Sequence, residues 1–325
     1  MTDKRSLKIL AYVHGYFPNL NAGAEAMLHQ ILMDLKEKGH EVKVLTKNPG
    51  ASEYEGIPLA EAGSSKDRVL ADWADVIFTH LNYTRFAVKI AQRSKKPIVH
   101  LVHNDWQLKE NRIVDGSTAS LAVANSEWIR ATIKSTIPSL IVHPPTVPER
   151  YEVTTSREAI TLVNLIEDKG GLMFWELARI FPDRKFIGVH GGYGFQQIYD
   201  KELPNVTIID NTTDIQSVYK KTRIVIMPST YESWGRVATE AACSGIPVIA
   251  SPTPGLKESL GDSGIFARHH SVADWVEAIR FLDDPKNYKK YSELTKKRSI
   301  ELANKFKVQM EALEKKLLDI VKPRR

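Results

Sequence analysis

One pattern constrains this chain more than any other: short runs of β-branched and aliphatic residues alternate with amphipathic stretches of helical length along most of its course. Strands buried on both faces read as continuous apolar runs, and parallel neighbours need a crossover helix, so the alternation requires parallel sheets covered by helices. In the first half, strands are predicted over 7–13, 41–46, 74–79, 97–103 and 120–126, with helices over 24–39 and 85–94. Met27, Ile31 and Leu35 recur every fourth position, and Gly39 follows as a helix stop.

The alternation breaks at HPPTVPERYEVTTSRE (143–158), where three prolines fall within five residues and no apolar period survives. Such a stretch reads as an interdomain linker. The pattern restarts with strands over 159–165, 185–190, 205–210, 223–229 and 246–251 and helices near 171–180, 213–220, 235–244 and 271–283. Two Rossmann-like α/β domains are therefore expected, residues 1–150 and 151–304, facing each other across a cleft. Ligands of open α/β sheets lie beyond the carboxyl ends of the strands, which directs attention to the loops that follow them.

Composition narrows the class. Of 325 residues, 42% are hydrophobic and 26% charged, as in globular proteins generally. The single cysteine, Cys243, forms no internal disulfide and no cysteine zinc knuckle, so a reducing, cytoplasmic home is expected. The formal charge of +6 admits nucleic acid, an anionic membrane face or an anionic small molecule, but aromatic and basic residues are not interleaved in any nucleic-acid-binding pattern. Lysines crowd the stretch after Lys286 at helical spacing, which predicts a solvated amphipathic tail helix, with contact to the inner face of a membrane as the minor reading. The N-terminal stretch lacks a signal-peptide core, and no segment reaches the length of a spanning helix. Ten histidines show neither HExxH nor HxH spacing, and the pair His269 and His270 falls in a polar turn, so no metal is expected.

Three strand-following loops carry candidate chemistry. NAGAEAM (21–27) opens a helix near Gly23, where main-chain N–H groups face an anion or the chain merely turns tightly. In LVNLIEDKGG (162–171), Lys169 either neutralises a diphosphate or lies on the surface before a helix. The sharpest is PSTYESWGRVATEAACSGIPVIASPTPGLKES (228–259). Glu232 falls in its loop and Glu240 about one turn into the helix after it, with Ser233, Trp234, Gly235 and Arg236 between. Carboxylates accept hydrogen bonds from sugar hydroxyls while amides at a helix start hold phosphate oxygens.

These residues resemble the retaining glycosyltransferases of family 4, which have the GT-B fold. Glu232 and Glu240 match the family's E-x7-E pattern, followed by GIPVIAS and by Gly255 and Glu258 of its G-x-x-E. NAGAEAMLHQILMDLKEKGHEVKVLT, VANSEWIR and EDKGG resemble its other motifs, in order from residue 9 to about 266. The resemblance implies sugar transfer from a nucleotide-diphosphate sugar to an unknown hydroxyl acceptor, whether a glycan, a lipid-linked or a small molecule, without metal or cofactor. By it, Glu240 would hold the donor ribose and Glu232 the donor sugar. Ser233, Trp234, Gly235 and Arg236 would offer main-chain amides, and Lys169 would neutralise the diphosphate, aided by Gly23. His103 would lie near sugar and acceptor, although His100 is as good a candidate for the nearby buried ring. The glycine loop GVHGGYGF (188–195) would approach the donor, and a C-terminal helix over 305–325 would complete the first domain.

One departure stands out. Relatives commonly place Arg five residues before the Lys, where this chain has Asn164. A lost charge-assisted contact costs roughly 1.5–3 kcal/mol, for which Arg236, Arg223 or Arg268 are the candidate replacements. The departure keeps a noncatalytic sugar-nucleotide binder open, and a phosphorylase or epimerase on the same fold is a further alternative.

Overall fold

The computed structural model describes residues 5–106, 120–134, 136–199 and 203–321. The chain divides into two compact units, Met1–Pro145 with Phe306–Arg325, and Thr146–Lys305.

The first unit carries strands β1 (Lys8–Val13), β2 (Glu41–Thr46), β3 (Glu53–Tyr54), β4 (Ile57–Glu61), β5 (Val76–His80), β6 (Ile98–Val102), β7 (Leu121–Ala124) and β8 (Ser139–Ile141). They form one sheet in the order β3-β4-β2-β1-β5-β6-β7-β8, parallel throughout except for the β3–β4 pairing. Helices α1 (Gly23–Glu37), α2 (Lys66–Trp73), α3 (Thr84–Arg93) and α4 (Glu127–Thr132) connect them. Strands β5, β6 and β7 are buried along their whole length, which explains their unbroken apolar runs.

The second unit begins with α5 (Pro148–Tyr151) and continues with β9 (Ala159–Val163), α6 (Gly171–Ile180), β10 (Lys185–Val189), β11 (Val206–Ile209) and α7 (Ile215–Tyr219). Then come β12 (Thr222–Met227), α8 (Arg236–Cys243), β13 (Val248–Ala250), α9 (Pro254–Leu260), β14 (Gly264–Phe266), α10 (Val272–Phe281) and α11 (Pro285–Ile320). Its six parallel strands run β11-β10-β9-β12-β13-β14. Phe174, Trp175, Phe186 and Trp275 anchor the apolar layer on one face.

Both sheets reverse their direction of growth once. In the first the chain adds β2 on one side of β1 and later returns to add β5 on the other; in the second the same happens at β9, with β12. Such a reversal opens a crevice at the carboxyl ends of the two central strands.

Two expectations need correction. Most of the Pro-rich stretch is not a free linker. Thr146 Oγ1 bonds Thr239 Oγ1 at 2.9 Å, the Val153 amide donates to Ser244 Oγ at 2.9 Å, and the Ser156 amide donates to the Lys220 carbonyl at 2.7 Å. The prolines fix φ without removing these donors, so the segment packs on the second unit. Nor is the tail a solvated helix. It forms the second half of the 36-residue α11, and Met310, Leu313, Leu317 and Val321 are buried in the first unit's core beside Leu28 and Ile31. The apolar face offered to a membrane in the minor reading is thus already covered; residues 322–325 lie outside the described residues. No helix among the described residues is long and apolar enough to cross a membrane.

Candidate active site

In the second unit the chemistry gathers where β9 and β12 part. After β9 the chain runs through a 3-10 turn, Glu167–Lys169, to Gly170, whose φ of 89° only glycine adopts easily, and into α6. A Cβ on Gly170 would lie 2.5 Å from Pro228, so the turn can press against the chain leaving β12 only because it has none. The Thr230 amide donates to the Asp168 carbonyl at 2.9 Å and ties the two loops.

This tie brings Lys169 to Glu232, 63 residues away in sequence. Lys169 Nζ donates to Glu232 Oε1 at 2.7 Å and to the Tyr231 carbonyl at 3.1 Å, and Ser229 Oγ donates to the same carboxylate oxygen at 3.1 Å. Burial works against the Lys169 charge, but the Glu232 carboxylate, with Tyr193 and Asp168, outweighs it and raises the ammonium's pKa. Both side chains remain partly accessible, 17% and 14%, so the pair is shielded without being sealed.

A second pair lies on α8. Gly235, with φ 87°, precedes the helix, and its Cβ would collide with Leu256 at 2.4 Å. From the first turn, an Arg236 guanidinium N–H donates to Glu240 Oε1 at 2.7 Å and another contact reaches the Tyr151 hydroxyl at 2.9 Å. Tyr219 donates to the other Glu240 oxygen at 3.3 Å. Burial opposes the Arg236 charge, and Tyr151 and Glu240 overcome it, so the guanidinium stays ionised. The chain at 232–233 passes so close to α9 that a Cβ on Gly255 would lie 2.4 Å from the Glu232 carbonyl. Trp234 is 2% exposed and belongs to the packing of this corner.

Asn164 closes β9 with φ 72°, a left-handed conformation that Asn tolerates better than Arg. Its Oδ1 accepts from Gln196 Nε2 at 3.2 Å, while Gln196 Oε1 accepts from the Leu165 and Gly191 amides at 2.9 and 3.0 Å. Asn164 therefore ties the glycine loop to the sheet. Two proposed replacements for the missing arginine charge are committed elsewhere: Arg223 donates to the Leu282 carbonyl and stacks on Tyr288, and Arg268 grips Asp274 with two bonds. Arg236 is the one near the acidic pair.

In the first unit, Gly23 is the first residue of α1 after an extended Ala22. His103 and His100 are both buried. Burial, then His100, lowers His103 to about 3, and its Nε2 lies 2.9 Å from His80 Nδ1. The ring is neutral and already engaged.

Sequence reasoning missed Tyr151, Tyr219, Ser229 and Gln196, which brace the charged residues. Ser229 had a signal, its place at the end of a strand in the same motif; the others are ordinary residues whose role comes from tertiary packing alone.

Residues 194–298 match the family model described as glycosyl transferases group 1. The matched stretch holds Glu232 and Glu240 and takes in about a third of the chain. Curated proteins similar to this chain include the D-inositol 3-phosphate glycosyltransferases of Corynebacterium aurimucosum, 40% identical over 77 residues covering 22% of this chain and 18% of that protein, and Corynebacterium kroppenstedtii, 45% identical over 73 residues covering 22% and 16%. The matched stretch thus spans under a fifth of those relatives' length. Among solved structures, Anabaena HepE in complex with UDP and glucose superposes with a TM-score of 0.79 at 19% identity, covering 95% of this chain and 99% of that one. Sucrose-phosphate synthase from Thermosynechococcus elongatus follows with 0.72 at 15% identity, covering 96% and 99%. The chain has the GT-B fold.

Proposed function

We propose that this chain is a member of the group 1 glycosyl transferases, a retaining enzyme that moves a sugar from a nucleotide-diphosphate sugar to an acceptor hydroxyl. The observation that carries the reading is the Lys169–Glu232 pair at the second sheet's reversal point, held by two glycine-dependent turns. When the donor arrives, Lys169 exchanges the Glu232 carboxylate for phosphate oxygens, and Glu232 is freed to accept from sugar hydroxyls. The pair keeps both charges satisfied and oriented beforehand, so little reorganisation is needed at the moment of reaction.

In the transfer, the bond from the anomeric carbon to the diphosphate breaks and its electron pair leaves with the phosphate. The acceptor oxygen bonds to the same face of that carbon, and its proton passes to the departing phosphate oxygen. Lys169 and the amides of Ser233, Trp234, Gly235 and Arg236 stabilise the charge that develops on the diphosphate. Glu240, steadied by Arg236 and Tyr219, receives the ribose hydroxyls on its remaining lone pairs. Asn164 shapes the donor loop. On the first unit, Gly23 offers a main-chain N–H to anionic groups, and neutral His103 positions by hydrogen bonding rather than by carrying a proton. The proposal includes a cytoplasmic location, supported by the lone cysteine, whose thiol burial pushes up to about 12.

Since the Anabaena relative was solved with UDP and glucose, UDP-glucose is the first donor to test, beside GDP and ADP sugars. Release of nucleoside diphosphate that depends on an acceptor supports transfer. Donor turnover without acceptor would indicate an epimerase, dependence on inorganic phosphate a phosphorylase, and thermal protection without release a noncatalytic binder.

A further inference from the structure

The reversal point of the first sheet holds a different constellation. His14 follows β1, His80 ends β5, and Glu25 lies in the first turn of α1. Each offers a ligand atom within 4.8 Å of the others, the one such group of three among the described residues. Glu25 is 1% and His80 0% exposed, while His14 is only half-buried.

Their polar atoms are not satisfied by one another. His14 Nδ1, Glu25 Oε1 and His80 Nε2 are all buried without a hydrogen-bond partner, and Glu25 Oε1 lies 3.9 Å from His80 Nε2, too far for a hydrogen bond. Neither tautomer of His80 repairs this. If its Nδ1–H donates to His103 Nε2, at 2.9 Å, a lone pair on Nε2 faces a carboxylate oxygen; if the proton sits on Nε2, that donor goes unmet. A buried unsatisfied polar atom costs about 1–3 kcal/mol, and each of the three clustered residues carries one.

We propose that His14, Glu25 and His80 bind a divalent transition-metal cation, zinc by preference. Two imidazoles and one carboxylate are a recognised zinc set that leaves a fourth position for water or a hydroxyl oxygen. Ligands about 2.0–2.1 Å from a tetrahedral ion stand closer together than these atoms do, so the side chains draw in as the ion binds. His103 completes the arrangement from behind by accepting the Nδ1–H of His80, which fixes the tautomer whose Nε2 lone pair points at the metal. Half-buried His14 supplies the way in from solvent. Histidine spacing could not reveal the site, because its three residues come from three elements. The inference does not depend on the transfer reaction.

The test uses the full chain without a polyhistidine tag, stripped with chelator and titrated with zinc chloride. Elemental analysis after desalting is expected to find about one zinc per chain, with a rise in Tm. Cobalt(II) in its place is expected to give the strong visible absorption of a four-coordinate nitrogen and oxygen site. His14→Ala, at the least buried ligand, should weaken zinc affinity by more than about 100-fold, and His103→Gln by about 10-fold, the scale seen for outer partners. Glu232→Gln, in the other unit, should leave it unchanged. Two results would overturn the proposal: no more than trace zinc and no cobalt spectrum in the parent chain, or a folded His14→Ala variant that binds zinc as tightly as the parent.

Discussion

The two sheets present their reversal points in opposite electrostatic states. At β9 and β12, each buried charge faces an opposite charge: Lys169 on Glu232, Arg236 on Glu240. At β1 and β5 the corresponding place holds neutral rings and a carboxyl group whose inward atoms have no partner. The same topology has thus built one place that is settled before its ligand comes and another that is not. A settled site gains its rate from fixed dipoles, whereas an unsettled one gains its binding energy from relief of desolvation.

The largest test of the settled side is Lys169→Ala. Losing the cation aimed at the departing phosphate should lower kcat by about 10²–10³-fold, the range for one deleted preorganised group, with a much smaller loss of stability by urea titration. Nucleoside diphosphate release at the parental rate would remove Lys169 from the site. Next comes Arg236→Ala, which leaves the Glu240 carboxylate 13% exposed with only Tyr219. Breaking a buried pair costs about 3 kcal/mol, so the urea midpoint should fall clearly and nucleotide should bind more weakly in calorimetry.

Acid separates the two units. His100 is buried, its Nε2 has no partner, and burial lowers it to about 4 from an ordinary value of 6.5. The unfolded ring takes a proton near 6.5 and the folded ring near 4, so its stabilising share is complete above 6.5 and is lost as pH falls through that window. The slope is up to about 1.4 kcal/mol per pH unit. Amide protection on chelated protein, corrected for the intrinsic exchange rate at each pH, should therefore fall from pH 7 to pH 5 more in β6 and β7 than in β9 and β10; equal change in both would contradict the contrast. The smallest effects concern Asn164. Replacing it by Ala should cost about 1–2 kcal/mol for the left-handed backbone, and by Gly less, with sugar transfer following the loss of the Gln196 tie rather than any loss of charge.

Residues 171–180 and 41–46 are legible as helix and strand because their own periodicity decides them. The strands missed, β3, β4, β8 and β14, all lie at or next to a sheet edge. There a two- to five-residue strand is defined by its partner, and its sequence, such as Ser139–Ile141, carries no pattern of its own. Short α2, KDRVLADW, is half polar and has a single fully buried alanine to announce it. The acidic pair with Lys169 was visible because it is concentrated in two strand-following loops and the first turns of the helix after one of them. What held those residues was not visible: Tyr151, Tyr219 and Gln196 act across 85, 21 and 32 residues. Nor could Asn164 be read correctly, since its reason is a backbone angle and not a charge.

The long α11 sets an order of events during synthesis. Residues 146–305 form an unbroken stretch, so that unit can be complete while the ribosome is still adding the last turns. The unit begun first finishes last, for the groove beside Leu28 and Ile31 stays open until Met310, Leu313 and Leu317 have emerged. Until then the nascent chain carries an uncovered greasy seam, and a chain cut before Met310 would keep it.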